Sequence, residues 1–240
     1  ACCTICHRPL SRKNEIQLCS RCLSQLNFVT EPFCQICGRP LRLAAVEKGR
    51  CLLCRQHRFH FTQARAVAVY EGFWRECIHM MKYCRRHELI EPLVGLLAQV
   101  FRRFWSEPKV LLVPVPVAPS RKARRGYDHA KLLALELGRQ LKVPVESGNL
   151  WLKKTTYQQS QVSSKAKAVN MRGAFGIHAP EAFANKHVLL IDDLLTSGWT
   201  ASECARVLLE CGATQVDVLT LAVGAMEKSQ PGLGKATVRR

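Results

Sequence analysis

The 240-residue chain has no apolar run approaching the ~20 residues that a membrane-spanning helix needs. It opens on no secretory-signal pattern, and its start at Ala1 in place of Met leads to the expectation that a few residues precede it. Acids are scarce: 18 Asp/Glu stand against 36 Lys/Arg, a formal net charge of +18. The whole excess lies in residues 1–180, while residues 181–240 are close to neutral. This balance points to polyanionic partners, either nucleic acid or the anionic face of a membrane, without choosing between them. Residues 1–60 also hold few large apolar side chains, which excludes a hydrophobic core built from that region alone.

What the chain has in abundance is cysteine, 13 residues of it. Without a secretory signal these argue for a reducing compartment and for metal ligation over disulfides. Eight fall into four Cys-x-x-Cys pairs: Cys3 and Cys6, Cys19 and Cys22, Cys34 and Cys37, Cys51 and Cys54. Each pair is a knuckle offering two thiolates, and two knuckles complete a tetrahedral zinc site with no open position, hence a structural one. Metal binding then supplies the folding free energy that the missing core cannot. Adjacent pairing makes two consecutive zinc ribbons, Cys3/Cys6/Cys19/Cys22 and Cys34/Cys37/Cys51/Cys54; a cross-brace joining the first knuckle to the third is the alternative. Cys2 and His7 are near enough to substitute in the first site. His57 and His60 read as surface or packing residues. Cys77 with Cys84, and Cys204 with Cys211, have helical spacing and read as core.

Beyond residue 62, extended stretches alternate with helical ones. Strands are expected at 64–70, 109–115, 187–191 and 215–222, and helices at 73–83, 88–105, 129–141 and 200–211. In the second helix Ile90, Leu93, Val94, Leu97 and Phe101 form the apolar stripe, and Gly212 suits the C-cap of the fourth. The pattern indicates an α/β domain with a mostly parallel sheet flanked by helices. Three parts follow: a small four-cysteine zinc-ribbon module duplicated over 1–62, the α/β domain over 63–225, and a basic tail over 226–240 expected to be disordered. Residues 151–173, rich in Ser, Gln and Lys, read as a long loop or flap.

Two stretches carry chemistry. Residues 188–200 read Val-Leu-Leu-Ile-Asp-Asp-Leu-Leu-Thr-Ser-Gly-Trp-Thr. A buried strand running into a small-residue loop and a helix start is where open α/β sheets bind ligands, and the loop N–H groups suit a phosphate. Asp192 and Asp193 could then hold the hydroxyls of a sugar whose phosphate is gripped by Thr196, Ser197, Gly198, Trp199 and Thr200. A strand ending in a solvated turn, with Thr196 or Ser197 capping the next helix, is the plainer alternative. The second stretch follows the strand at 109–115: three prolines, then Arg121, Lys122, Arg124 and Arg125. Guanidinium forks at the carboxyl end of a strand suit the oxygens of a pyrophosphate.

The first stretch resembles the phosphoribosyl pyrophosphate (PRPP) signature of type I phosphoribosyltransferases, with Trp199 where a small residue is usual. Four Cys-x-x-Cys pairs, Tyr70-Glu71-Gly72, Met81-Lys82-Tyr83, Val113-Pro114-Val115-Pro116, Arg125-Gly126-Tyr127-Asp128-His129, Thr156 with Gln159, Asn170 with Ala174-Phe175, and the acid-pair loop together resemble the ComF/GntX family. The resemblance implies a zinc-ribbon module joined to a phosphoribosyltransferase domain, PRPP as ligand with Mg²⁺, and a link to natural competence or DNA utilisation. It places Asp192 and Asp193 at the ribose hydroxyls as the catalytic pair, Arg121, Arg124 and Arg125 at the pyrophosphate, and Lys82 on a phosphate. Asp128 and Lys167 depart from the family pattern, which usually has Asn and Arg there. No acceptor motif is visible, so enzymatic transfer stays open. The alternative is a non-catalytic adaptor that binds single-stranded DNA, with Phe59, Phe61 and Phe73 available for base stacking. Either role is expected in the cytoplasm, with contact to DNA import proteins at the inner face of the membrane as a further option.

Overall fold

A computed structural model of the chain describes residues 1–10, 16–41, 48–84, 86–105, 109–153 and 171–225. The basic tail at 226–240, Lys167, Asn170, Thr156 and Gln159 lie outside the described residues. Among the described residues of the cysteine-rich region are two short helices, α1 (Ser20–Ser24) and α2 (Leu52–Gln56). The α/β part then runs β1 (Ala64–Val69), α3 (Gly72–Tyr83), α4 (Ile90–Phe104), β2 (Val110–Pro114), α5 (Pro119–Arg125) and α6 (His129–Leu141). It continues with β3 (Leu150–Leu152), β4 (Phe175–Ile177), β5 (His187–Leu195), α7 (Trp199–Glu210) and β6 (Gln215–Val223). No helix among the described residues is long and apolar enough to cross a membrane.

The main sheet has the order β1-β6-β5-β2, and every pair is parallel, with Ile191 opposite both Leu219 and Pro114. Parallel strands need crossovers, and helices α3 to α7 supply them. Side chains alternate across the pleat, so the sheet feeds two cores. On one face Leu189, Ile191 and Leu219 pack with Trp74, Leu93, Leu97, Leu133 and Leu137 from α3, α4 and α6. On the other, Val188, Leu190 and Val218 pack with Cys204 and Leu208 of α7 and with Phe175. Full burial of each such side chain contributes about 1.5–3 kcal/mol.

The cysteine-rich region obtains its core by sharing these two. Cys3, Leu18 and Cys22 of the first ribbon join the α4 face, while Cys34, Cys37, Phe59 and Phe61 of the second join the α7 face. The third knuckle, Cys34 with Cys37, approaches β1 so closely that a Cβ at Gly38 would lie 2.6 Å from the Ala64 carbonyl oxygen.

Several sequence expectations are corrected. The strand expected at 187–191 extends to Leu195, because Leu194 and Leu195 keep pairing with Ala222 and Val223. The 151–173 stretch is not all loop: Leu152 pairs antiparallel with Phe175. Cys204 and Cys77 are core, but Cys84 is exposed and Cys211 half-buried, because each falls at the C-cap, past the end of its buried stripe. Phe59 and Phe61 are buried and stacked on each other, so their faces are not open to bases.

Candidate functional site

The zinc sites come first in the chain. The structure brings the ligand sulfurs of Cys3, Cys6, Cys19 and Cys22 within 4.8 Å of one another, and likewise those of Cys34, Cys37, Cys51 and Cys54. Adjacent knuckles therefore pair, and the cross-brace is excluded. Cys6 Sγ lies 3.6 Å from Cys19 Sγ, and Cys37 Sγ lies 3.5 Å from Cys51 Sγ. A tetrahedron with Zn–S of about 2.3 Å sets sulfurs about 3.8 Å apart, so both donor sets fit zinc. In each site the first of the two knuckles turns through a left-handed residue just after its second cysteine, His7 (φ 59°) in one and Gly38 (φ 70°) in the other. The two sets differ in exposure: all four thiols of the second are buried, whereas Cys6 is exposed and Cys19 half-buried.

The acid pair lies near the carboxyl end of β5, inside the strand. Asp193 is buried, and its carboxylate meets Lys82 Nζ of α3 at 2.6 Å and His129 Nε2 of α6 at 2.7 Å. Burial alone would push its carboxyl up, but Lys82 and then His129 outweigh that and hold it well below the usual range. Asp192 accepts the Asp193 backbone N–H at 2.8 Å and is partly open to solvent. Burial, followed by the charge of Asp193, pushes its carboxyl up to about 8 despite Lys82. The two neighbouring acids are thus driven in opposite directions, which is how one site obtains two distinct carboxyl roles.

Three motifs converge here. The Tyr127 hydroxyl donates to the Met81 carbonyl, so the Arg-Gly-Tyr-Asp-His segment clamps the last turn of α3, next to Lys82. Asp128 is the N-cap of α6, accepting the Lys131 N–H at 3.0 Å, and this cap sets His129 at the helix start facing Asp193. The departure of Asp128 from the family's Asn is therefore accommodated by a capping role that either residue fills. His129 was not singled out from the sequence; its position directly after a capping residue was the available signal.

Beyond the acid pair, Gly198 adopts φ 82° and caps α7, whose first intrahelical bond is Ser202 N–H to the Gly198 carbonyl at 2.8 Å. The cap has no side-chain acceptor and the first turn has no acid. The unpaired N–H groups of such a terminus, with the helix dipole behind them, suit an anion. Thr196 is exposed, Gly198 is buried, and Ser197, Trp199 and Thr200 are half-buried. The basic stretch after β2 is a short helix, α5, in which Arg121, Arg124 and Arg125 occupy positions i, i+3 and i+4. Val115 N–H bonds to the Ile191 carbonyl at 2.9 Å, so the chain leading to α5 leaves the sheet beside the acid pair.

The donor atoms of His129, Asp192 and Asp193 also lie within 4.8 Å of one another. Lys82 Nζ, 2.6 Å from Asp193, opposes a second cation on that carboxylate. Of the three, Asp192 is the residue that fits an oxygen-seeking ion such as Mg²⁺.

Comparison with known proteins agrees with this anatomy. A double zinc ribbon domain model matches residues 1–55, and a phosphoribosyl transferase domain model matches residues 95–234. The DNA utilization protein YhgH of Escherichia coli (strain K12) is 29% identical over 223 residues, spanning 91% of this chain and 95% of its own length. Competence protein F of Haemophilus influenzae is 29% identical over 210 residues, covering 85% of this chain and 90% of its own. Competence protein ComFC of Bacillus subtilis is 29% identical over 216 residues, covering 87% and 85%. The chain belongs to the phosphoribosyl transferase domain family and, with a double zinc ribbon ahead of that domain, to the ComF/GntX family that its motifs resemble.

Proposed function

We propose that the chain binds PRPP at the carboxyl end of β5 and serves in competence or DNA utilisation, as the names of its relatives suggest. The observation that supports this most is an acid pair inside a parallel strand, Asp193 buried and Asp192 half-buried, followed by a helix N-terminus without cap acceptor or acid. Asp192 and Asp193 engage the ribose hydroxyls, residues 196–200 hold the 5-phosphate, and Arg121, Arg124 and Arg125 face the pyrophosphate. Lys82 keeps Asp193 ionised and reaches a phosphate only by exchanging that partner. Mg²⁺ would neutralise part of the pyrophosphate charge, with Asp192 as its fitting ligand on this chain.

If transfer occurs, pyrophosphate leaves the anomeric carbon with cationic character building on the ribose. The chain's part is then to place carboxylates near that cation and guanidinium groups near the leaving anion. Losing one such contact should cost about 3 kcal/mol, or ~10²-fold in rate. Isothermal titration with PRPP and Mg²⁺ tests the binding. No heat for the intact chain, or equal heat for Asp192→Ala with Asp193→Ala, overturns the ligand. Release of pyrophosphate from PRPP separates turnover from binding.

A second reading, a non-catalytic single-stranded DNA adaptor, draws on the net charge of +18 and the relatives' names. With Phe59 and Phe61 buried, that reading rests on electrostatics in place of base stacking at those rings. DNA binding insensitive to salt concentration would rule it out. Both readings place the chain in the cytoplasm, with DNA import proteins at the inner membrane as candidate partners.

A further inference from the structure

We propose that the second zinc ribbon is part of the 5-phosphate site, its residues 57–61 setting the position of loop 196–200 by holding Trp199 and Ser202. The inference rests on the PRPP reading above and adds a structural determinant of its affinity.

A continuous path of contacts carries it. Cys51 is the N-cap of α2 and Cys54 lies within it, so two ligands of the second site fix this helix; it ends at His57, whose N–H bonds to the Leu53 carbonyl at 3.0 Å. The His57 ring meets the Trp199 indole edge-on at 5.1 Å and 71°. Phe59 meets the same indole at 5.1 Å and is backed by Phe61, stacked at 5.1 Å and 9°. A Cβ at Gly198 would lie 3.2 Å from Phe59 Cε1, so Phe59 fills the space directly behind the loop. His60 completes the grip: its backbone N–H donates to Ser202 Oγ at 3.0 Å, and its Nδ1 lies 3.1 Å from the same oxygen. All these contacts fall on the cap and first turn of α7, whose N–H groups would face the phosphate.

The arrangement also accounts for Trp199 where a small residue is usual. The indole is the surface on which His57 and Phe59 rest, each ring 5.1 Å from it. The complete burial of the second thiolate set, against the partly exposed first, fits a metal that serves as an internal strut. Shifting the loop by about 1 Å would cost up to ~10²-fold in affinity or rate.

The test is isothermal titration of ribose 5-phosphate and, separately, of inorganic pyrophosphate into the full zinc-loaded chain and its variants. Phe59→Leu and Trp199→Ala should weaken ribose 5-phosphate by about tenfold to a hundredfold. Pyrophosphate, held from the α5 side, should change by less than about twofold. Trp199→Phe keeps an aromatic partner and should retain most of the ribose 5-phosphate affinity. His60→Ala removes a side-chain contact without opening the core and should reproduce the selective loss in milder form, even if Phe59→Leu fails to fold. Equal losses for both ligands, or none in any variant, overturn the proposal while leaving the PRPP reading intact. Failure of the unaltered chain to bind ribose 5-phosphate overturns the reading on which the proposal stands.

Discussion

The ion pair between Lys82 and Asp193 offers the sharpest quantitative test of the site. Both side chains are nearly excluded from water, at 12% and 6% exposure, and the charges are 2.6 Å apart. At an effective dielectric of about 20 their attraction is on the order of 6 kcal/mol, most of it offset by the cost of desolvating two ions. Breaking such a pair from one side typically costs about 3–5 kcal/mol. The His129 contact at 2.7 Å remains after Lys82→Met, which places the expected loss near the low end, at about 3 kcal/mol. Asp193→Asn should cost a similar amount, because it leaves the ammonium buried. The double variant has neither charge and should be markedly more stable than the two single losses add up to, by at least about 2 kcal/mol of coupling. Urea unfolding of all four proteins at pH 7, with zinc content checked in each, measures this directly. Coupling below about 0.5 kcal/mol would mean that the pair behaves as an exposed one, and the account of Asp193 as a carboxylate held ionised by Lys82 would fall.

Asp192 predicts the opposite sign: its carboxyl is raised to about 8, so the native state is stabilised when protonated and loses stability as pH rises from about 4 towards 8. Asp192→Asn should therefore raise unfolding stability at pH 8, by on the order of 2 kcal/mol given partial solvent access, while weakening PRPP binding; a less stable variant at pH 8 contradicts this. At the far end of the sheet Asp217 accepts from Trp105 Nε1 at 2.8 Å, His187 Nε2 at 3.0 Å and Gln63 Nε2 at 3.2 Å. Burial opposes its ionisation, but His187 and the other donors hold its carboxyl below the usual range, so it contributes stability above pH ~4 that is lost on acidification. The stability gap between the chain and Asp217→Asn, about 3 kcal/mol at pH 7, should narrow below pH 4, a comparison in which acid release of zinc largely cancels. Gly198→Ala puts a side chain at φ 82° and against Phe59, so about 1–2 kcal/mol of stability and much of the phosphate affinity should be lost in thermal and titration assays. Metal analysis should give about two zinc per chain, and chelation should unfold residues 1–62 first; fewer than two would leave one ribbon unmetallated.

What could be read from the sequence depended on how local its cause was. Helix α6 was expected at 129–141 and occupies His129–Leu141, because its cap Asp128 and its apolar spacing are both local. The four knuckles were legible for the same reason, each being a local Cys-x-x-Cys spacing, but which knuckles pair stayed open in the sequence, because that depends on how the fold brings them together. The acid pair was found as a motif, but its position inside β5 depends on Ala222 and Val223 continuing the ladder, and no local signal marks where a parallel strand stops pairing. The two carboxyls were indistinguishable in sequence, since what separates them arrives from α3 and α6, far along the chain. Phe59 and Phe61 read in the sequence as available for base stacking, at the end of a region whose scarcity of large apolar side chains denies it a core of its own. That scarcity was real, and its consequence ran the other way. A region without a core of its own must borrow one, and the second ribbon borrows it from the face of the sheet that carries α7. The module least able to fold alone is thereby packed against the loop proposed to hold the phosphate: two thiolates of the second zinc site, Cys51 and Cys54, fix the short helix that ends at His57, and the His57 ring meets Trp199 of that loop.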